Sequence, residues 1–139
     1  MMKITLKRLD DMYHMQAMNE DGCTVDTDGA TSIGGSNKGM RPMQLVLAAA
    51  GSCSSVDLIA ILKKQKQDLR DLKIEVTAER EKDKTPALFT EVHLHYILTG
   101  KLDADKAKRA LELAVEKYCS VVKILEKTAQ VTYTWEIIN

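Results

Sequence analysis

Polar and apolar residues alternate along residues 2 to 9 and 12 to 18, and again from Cys23 to Thr27. A period of two predicts strands. Asp10-Asp11 separates the first two, and Asn19-Glu20-Asp21-Gly22 supplies a hairpin turn before the third, so a three-strand antiparallel meander is expected. Residues 28 to 38, rich in Gly, Ser, Thr and Asn, carry no apolar period and read as a loop. Pro42 then suits the first turn of a helix that the pattern extends to about Lys66, with Lys63, Lys64 and Lys66 complementing its negative end.

Two further alternating runs, Leu72 to Glu81 and Leu88 to Thr99, predict a second hairpin around Lys84-Thr85-Pro86. Past Gly100, Asp103 is an N-cap candidate. Ala107, Ala110, Leu111, Ala114, Tyr118, Val121, Val122 and Leu125 then recur at helical spacing to about Lys127. Val131, Tyr133, Trp135 and Ile137 alternate with polar residues as a closing strand. The order βββ-α-ββ-α-β, with strands in hairpins and helices between them, predicts an α+β fold rather than a doubly wound sheet. At 139 residues the chain suits a single domain, 1–139.

Composition narrows the partners. Twenty basic residues balance twenty acidic ones, so no bulk attraction draws the chain to nucleic acid or to an anionic membrane. With 45% apolar and 29% charged residues the chain should fold, and its one Phe and one Trp leave the core to aliphatic groups and Met. The first residues lack the apolar stretch of a secretory signal, and three cysteines without a CxxC pair do not form a secreted disulfide framework. A cytoplasmic location is expected. The apolar run from Leu45 to Leu62 approaches transmembrane length, but Ser52, Ser54, Ser55 and Asp57 interrupt it, which favours a buried helix.

That helix has almost no polar face, and one chain of this size has limited material to enclose it. A second copy, most simply in a two-fold dimer, is expected to cover part of it. At its centre stands Gly51-Ser52-Cys53-Ser54-Ser55. Two readings stay open: a helix crossing of small residues with an inert buried Cys, or a thiol at the base of a small pocket. A reactive thiol among apolar neighbours needs a cation. Arg41, at the helix entrance, is the candidate, against the alternative of a solvated helix-start Arg. Asp57, one turn after Cys53, would oppose thiolate formation and is read as structural.

Cys119 lies beside Val115 and Val122 near the apolar face of the second helix. If the helices pack face to face, the two thiols approach; two unrelated core cysteines are the alternative. His93 and His95 alternate on one strand face and His14 stands elsewhere. A two-His metal site completed by Cys23 or a carboxylate is ranked below exposed strand histidines, and for a Cys-His dyad no sequence feature places either His beside Cys53. Met40 and Met43 are core filler or the lining of a flexible apolar pocket.

At Arg41-Pro42-Met43-Gln44-Leu45 through Gly51-Ser52-Cys53, and at Glu116-Lys117-Tyr118-Cys119-Ser120-Val121, the chain resembles the OsmC/Ohr family of thiol peroxidases along nearly its whole length. The resemblance implies two long helices packed against antiparallel sheets in an intertwined homodimer. It also implies a peroxidatic Cys53 and a resolving Cys119, with organic hydroperoxide as substrate, a dithiol reductant, and no metal or organic cofactor. The implied cycle passes from a sulfenic acid to a disulfide. Peroxidase members carry a Glu after the helix-start Pro, where this chain has Met43, and place the activating Arg on the loop or strand before the helix, whereas Arg41 adjoins Pro42. Met43 is then assigned to the substrate pocket. A noncatalytic binder of hydrophobic small molecules, or a cysteine redox sensor, is the alternative on the same fold.

Overall fold

The computed structural model describes all residues from Met1 to Asn139, which divide into two units, Met1–Val46 and Leu47–Asn139. In the first, β1 (Thr5–Arg8), β2 (Met15–Met18) and β3 (Thr24–Thr27) form the expected antiparallel meander, with Leu6 opposite Ala17 and Ala17 opposite Val25. Both turns are closed by side chains: Asp10 Oδ1 accepts from the backbone of Met12 and His14, and Asn19 Oδ1 from that of Asp21 and Cys23. These acceptors replace the backbone partners that the turning chain lacks.

The segment after β3 is organised by one carboxylate. Asp28, 2% exposed, accepts from the backbone N–H of Gly29 at 2.7 Å, Ser36 at 3.2 Å and Lys38 at 3.0 Å. The N–H of Lys38, helped by those of Gly29 and Ser36, holds its carboxyl below the ordinary range against the opposing effect of burial. A short 3-10 turn, Thr31–Ile33, lies inside this loop, and Thr27 bridges Met40 at its end.

Helix α1 (Pro42–Lys64) begins as Pro42 predicts and is long and apolar enough to cross a membrane by length and composition. Ala50, Gly51, Ser54, Leu58 and Leu62 are instead buried in the second unit. Strands β4 (Asp68–Arg80) and β5 (Phe89–Lys101) form the long expected hairpin. Val92, Leu94, Tyr96 and Leu98 point to the core with no exposure, as a two-residue period requires. Gly100, at φ 146°, lets the hairpin end close on itself, since a Cβ there would meet the Asp68 carbonyl oxygen at 2.1 Å.

The second half departs from expectation twice. β6 (Gln130–Ile138) pairs with β5 in parallel, making a mixed sheet, because the helical crossover returns the chain to the end from which β5 set out. The long second helix is three pieces: α2 (Ala104–Leu111), capped by Asp103, a π-helical segment (Glu112–Tyr118), and α3 (Ser120–Leu125).

Candidate active site

The break in the second helix decides which side chain faces the core. At about 100° per residue, a regular helix placing Leu111, Ala114 and Val115 inward would also turn Tyr118 inward. The structure shows the reverse: Tyr118 is 49% exposed and Cys119 is fully buried. The wider i→i+5 turns of Glu112–Tyr118 and the extended backbone of Cys119 (φ -71°, ψ 107°) interrupt the regular register, and the inward row includes Cys119, Val122 and Leu125. The inward place given to Tyr118 by periodicity is thus corrected, and the break in the helix brings the thiol inside.

Cys119 occupies the N-cap of α3, where its sulfur accepts from the N–H of Val122 at 3.4 Å. The same sulfur lies 4.0 Å from the carbonyl oxygen of Ala50, one turn before Cys53 on α1. Burial, reinforced by the neighbouring Cys53 sulfur within hydrogen-bonding reach, pushes the Cys119 thiol up to about 11 despite the N–H groups of Val122 and Val121. At neutral pH it is a protonated donor. Cys53 is half-buried, and both thiols are free. Two cysteines 66 positions apart are therefore brought together in unequal surroundings, one reachable from solvent and one enclosed.

A polar pair that the sequence did not mark backs the thiols. Tyr96, fully buried on β5, donates to Ser54 Oγ at 2.7 Å, and Ser54 Oγ donates in turn toward the carbonyls of Ala50 at 2.9 Å and Gly51 at 3.1 Å. The Ala50 carbonyl is thus shared by the hydroxyl pair and Cys119. Burial, with the nearby Cys119 adding to it, raises the Tyr96 phenol to about 12. Periodicity marks Tyr96 only as a core position; its hydroxyl was the one available signal. At Gly51 α1 faces β4 with space for a Cβ, which would lie 3.4 Å from Val76 Cγ2 and 3.8 Å from Ile74 Cγ2. Beside it runs a groove of about 420 Å³ lined by Ser52, Ser55, Ile59, Leu72, Ile74 and Val76, among others.

Arg41 and Met43 belong to the first unit. The Arg41 guanidinium donates to the carbonyl of Gly39 at 2.9 Å, to that of Asp28 at 3.4 Å and to Asn37 Oδ1 at 2.7 Å. Its backbone N–H donates to Gln44 Oε1 at 3.0 Å, half of a capping box at the start of α1. Met43 is half-buried in the first turn, and Asp57 is half-buried one turn after Cys53. His93 engages the hydroxyls of Thr132 and Thr134 with its two ring nitrogens, and His95 meets Thr134 at 2.7 Å and Glu136 at 3.4 Å. His14 is paired with Asp26 at 2.8 Å.

Residues 35–134 match the family model described as OsmC-like protein. The protein YhfA of Escherichia coli strain K12 is 44% identical over 103 residues, covering 73% of this chain and 76% of YhfA. A hypothetical protein of Aquifex aeolicus superposes with a TM-score of 0.85 at 29% identity over 99% of this chain and 96% of its own. The organic hydroperoxide resistance protein OhrB of Bacillus subtilis shares the fold, with a TM-score of 0.64 at 23% identity over 98% of both chains.

Proposed function

Because the chain belongs to the OsmC-like protein family, we propose that it is a thiol peroxidase of organic hydroperoxides, with Cys53 peroxidatic and Cys119 resolving. The observation that carries this reading is the asymmetry of the thiol pair: Cys53 is half-buried, while Cys119 beside it is enclosed and held protonated. The Cys53 thiol gives up its proton, its thiolate attacks the terminal oxygen of ROOH, the O–O bond breaks, and Cys53 becomes a sulfenic acid as the alkoxide takes up that proton and leaves as ROH. The Cys119 sulfur then attacks the Cys53 sulfur, the S–S bond forms, and the sulfenic oxygen departs as water with the Cys119 proton. A dithiol reductant returns both thiols. An enclosed resolving thiol suits this order, since it is kept from the oxidant until its partner has reacted.

Arg41 is assigned the charge that favours the Cys53 thiolate, and Met43 an apolar wall of the substrate pocket. The chain acts as one domain, 1–139, in a cytoplasmic homodimer, without metal or organic cofactor, nucleic acid or membrane partner. Apolar surface in each unit supports the dimer: Leu6 and Val25, on one cross-strand row of the meander, are 55% and 46% exposed, and Val56 and Ile59 of α1 are 66% and 47% exposed. A second copy would bury them.

One observation favours a second reading, a redox sensor or binder of hydrophobic molecules without turnover. The guanidinium of Arg41 is committed to its own loop. Consumption of cumene hydroperoxide by purified protein with a dithiol separates the two. Many turnovers, abolished in Cys53→Ser, support the peroxidase; a single stoichiometric oxidation supports the sensor.

A further inference from the structure

We propose that Tyr133 and Glu116 are positioning residues that hold the π-helical segment in the register that buries Cys119. The crossover leaves regular helical geometry at Glu112–Tyr118 and at the extended Cys119 that follows it, and this break converts an inward Tyr118 into an inward Cys119. Wider turns of this kind are unfavourable on their own, so something must maintain the register.

The tie is visible. Tyr133, on β6, donates its hydroxyl proton to Glu116 Oε2 at 2.8 Å, three residues before Cys119. The Tyr133 ring is itself fixed edge-on against Tyr96, with centroids 6.5 Å apart and planes at 85°, and Tyr96 is anchored by Ser54. The sheet thereby grips the segment through a charged acceptor, the stronger kind of hydrogen bond. Beside the tie a cleft of about 480 Å³, lined by Val115, Glu116, Val122, Lys123, Val131 and Tyr133 among others, leaves this flank of the segment without close packing. On the outside, Lys117 Nζ stands 5.3 Å from the Tyr118 ring centroid and gives the exposed ring a partner.

Without the tie, the segment relaxes toward regular helix, Tyr118 turns inward and Cys119 turns out. The consequence for disulfide closure rests on the peroxidase reading; the burial of Cys119 does not.

The test reads Cys119 directly, as its alkylation rate by iodoacetamide in the reduced Cys53→Ser protein, followed by mass. A buried thiol reacts only through local opening, so the rate reports that equilibrium. Tyr133→Phe, which keeps the ring against Tyr96, is expected to react about tenfold faster, the loss of a hydrogen bond to a charged group. Glu116→Ala, at an exposed position, should match it, while Glu116→Gln, whose amide oxygen still accepts, should stay near the unsubstituted rate. Alkylation of Cys119 in Tyr133→Phe and Glu116→Ala no faster than in the Cys53→Ser protein alone would overturn the proposal, as would acceleration wholly accounted for by a fall in global urea stability. In the protein retaining Cys53, Tyr133→Phe should slow disulfide closure after peroxide without slowing sulfenic acid formation. If the unsubstituted protein forms no such disulfide, the peroxidase reading fails and the alkylation result stands.

Discussion

The hydroxyl of Tyr96 and that of Ser54 form a 2.7 Å hydrogen bond in a part of the core where neither residue is exposed. The two alcohols satisfy each other and pass the last proton to the α1 backbone, at the carbonyl that Cys119 also approaches. Removing one partner is worse than removing both. Ser54→Ala strands a buried phenol and should cost about 1–3 kcal/mol, while Tyr96→Phe leaves Ser54 its backbone acceptors and should cost about 1 kcal/mol. The double substitution should be less destabilised than Ser54→Ala alone. Urea unfolding of the three reduced proteins measures this, and additive losses would contradict the pairing.

Two glycines should respond oppositely to alanine. At Gly51 an added methyl meets Val76 and Ile74 at ordinary contact distance, so Gly51→Ala should gain about 0.5–1 kcal/mol through helix propensity. At Gly100 the methyl would overlap the Asp68 carbonyl at positive φ, so Gly100→Ala should lower the thermal midpoint sharply. A loss at Gly51 would show that α1 and β4 are packed more tightly than these distances say.

Much of this was legible along the chain. The alternation over residues 72–81 and 88–99 marked the second hairpin, and Pro42 and Asp103 marked two helix starts, because periodicity and capping are local. The π-helical segment was not legible. Nothing in Glu112–Tyr118 distinguishes it from regular helix, since its register is set by a residue on β6, and so Tyr118 was placed inward and Cys119 only near the apolar face. The parallel pairing of β6 likewise depends on where the crossover ends. Of the site, the two cysteines could be singled out as the only mid-helix thiols; Tyr96 and Ser54 could not, because their roles lie in a bond across 42 positions.

Alkaline stability should carry the signature of the enclosed thiol. The Cys119 thiol titrates near 9.0 when free and about 11 in the fold, so the folded state binds more protons in between. Its contribution is present below pH 9, and is lost as pH rises through the folded value. In reduced protein, urea stability should fall between about pH 9 and 11, and Cys119→Ser, which keeps a capping oxygen, should flatten that fall. An unchanged slope in Cys119→Ser would assign the loss elsewhere, Tyr96 first.

At the acid end the loop after β3 should loosen first. Asp28 has its carboxyl lowered from the ordinary 3.8 by the N–H groups of Lys38, Gly29 and Ser36, so its contribution is present above that value and is lost as pH falls through the folded one. Amide exchange at Ser36 and Lys38 should accelerate below about pH 4, and Asp28→Asn should show the fast exchange already at neutral pH. Protection in Asp28→Asn equal to the unsubstituted protein would contradict the carboxylate's organising role.

Peptide mapping after one equivalent of cumene hydroperoxide tests the central claim most directly. The account predicts a single disulfide between the peptides carrying Cys53 and Cys119, with Cys23 still reduced and a trapped sulfenic acid at Cys53 when Cys119 is replaced by Ser. First oxidation at Cys119 or Cys23, or a Cys53 that oxidises without ever joining Cys119, would contradict it.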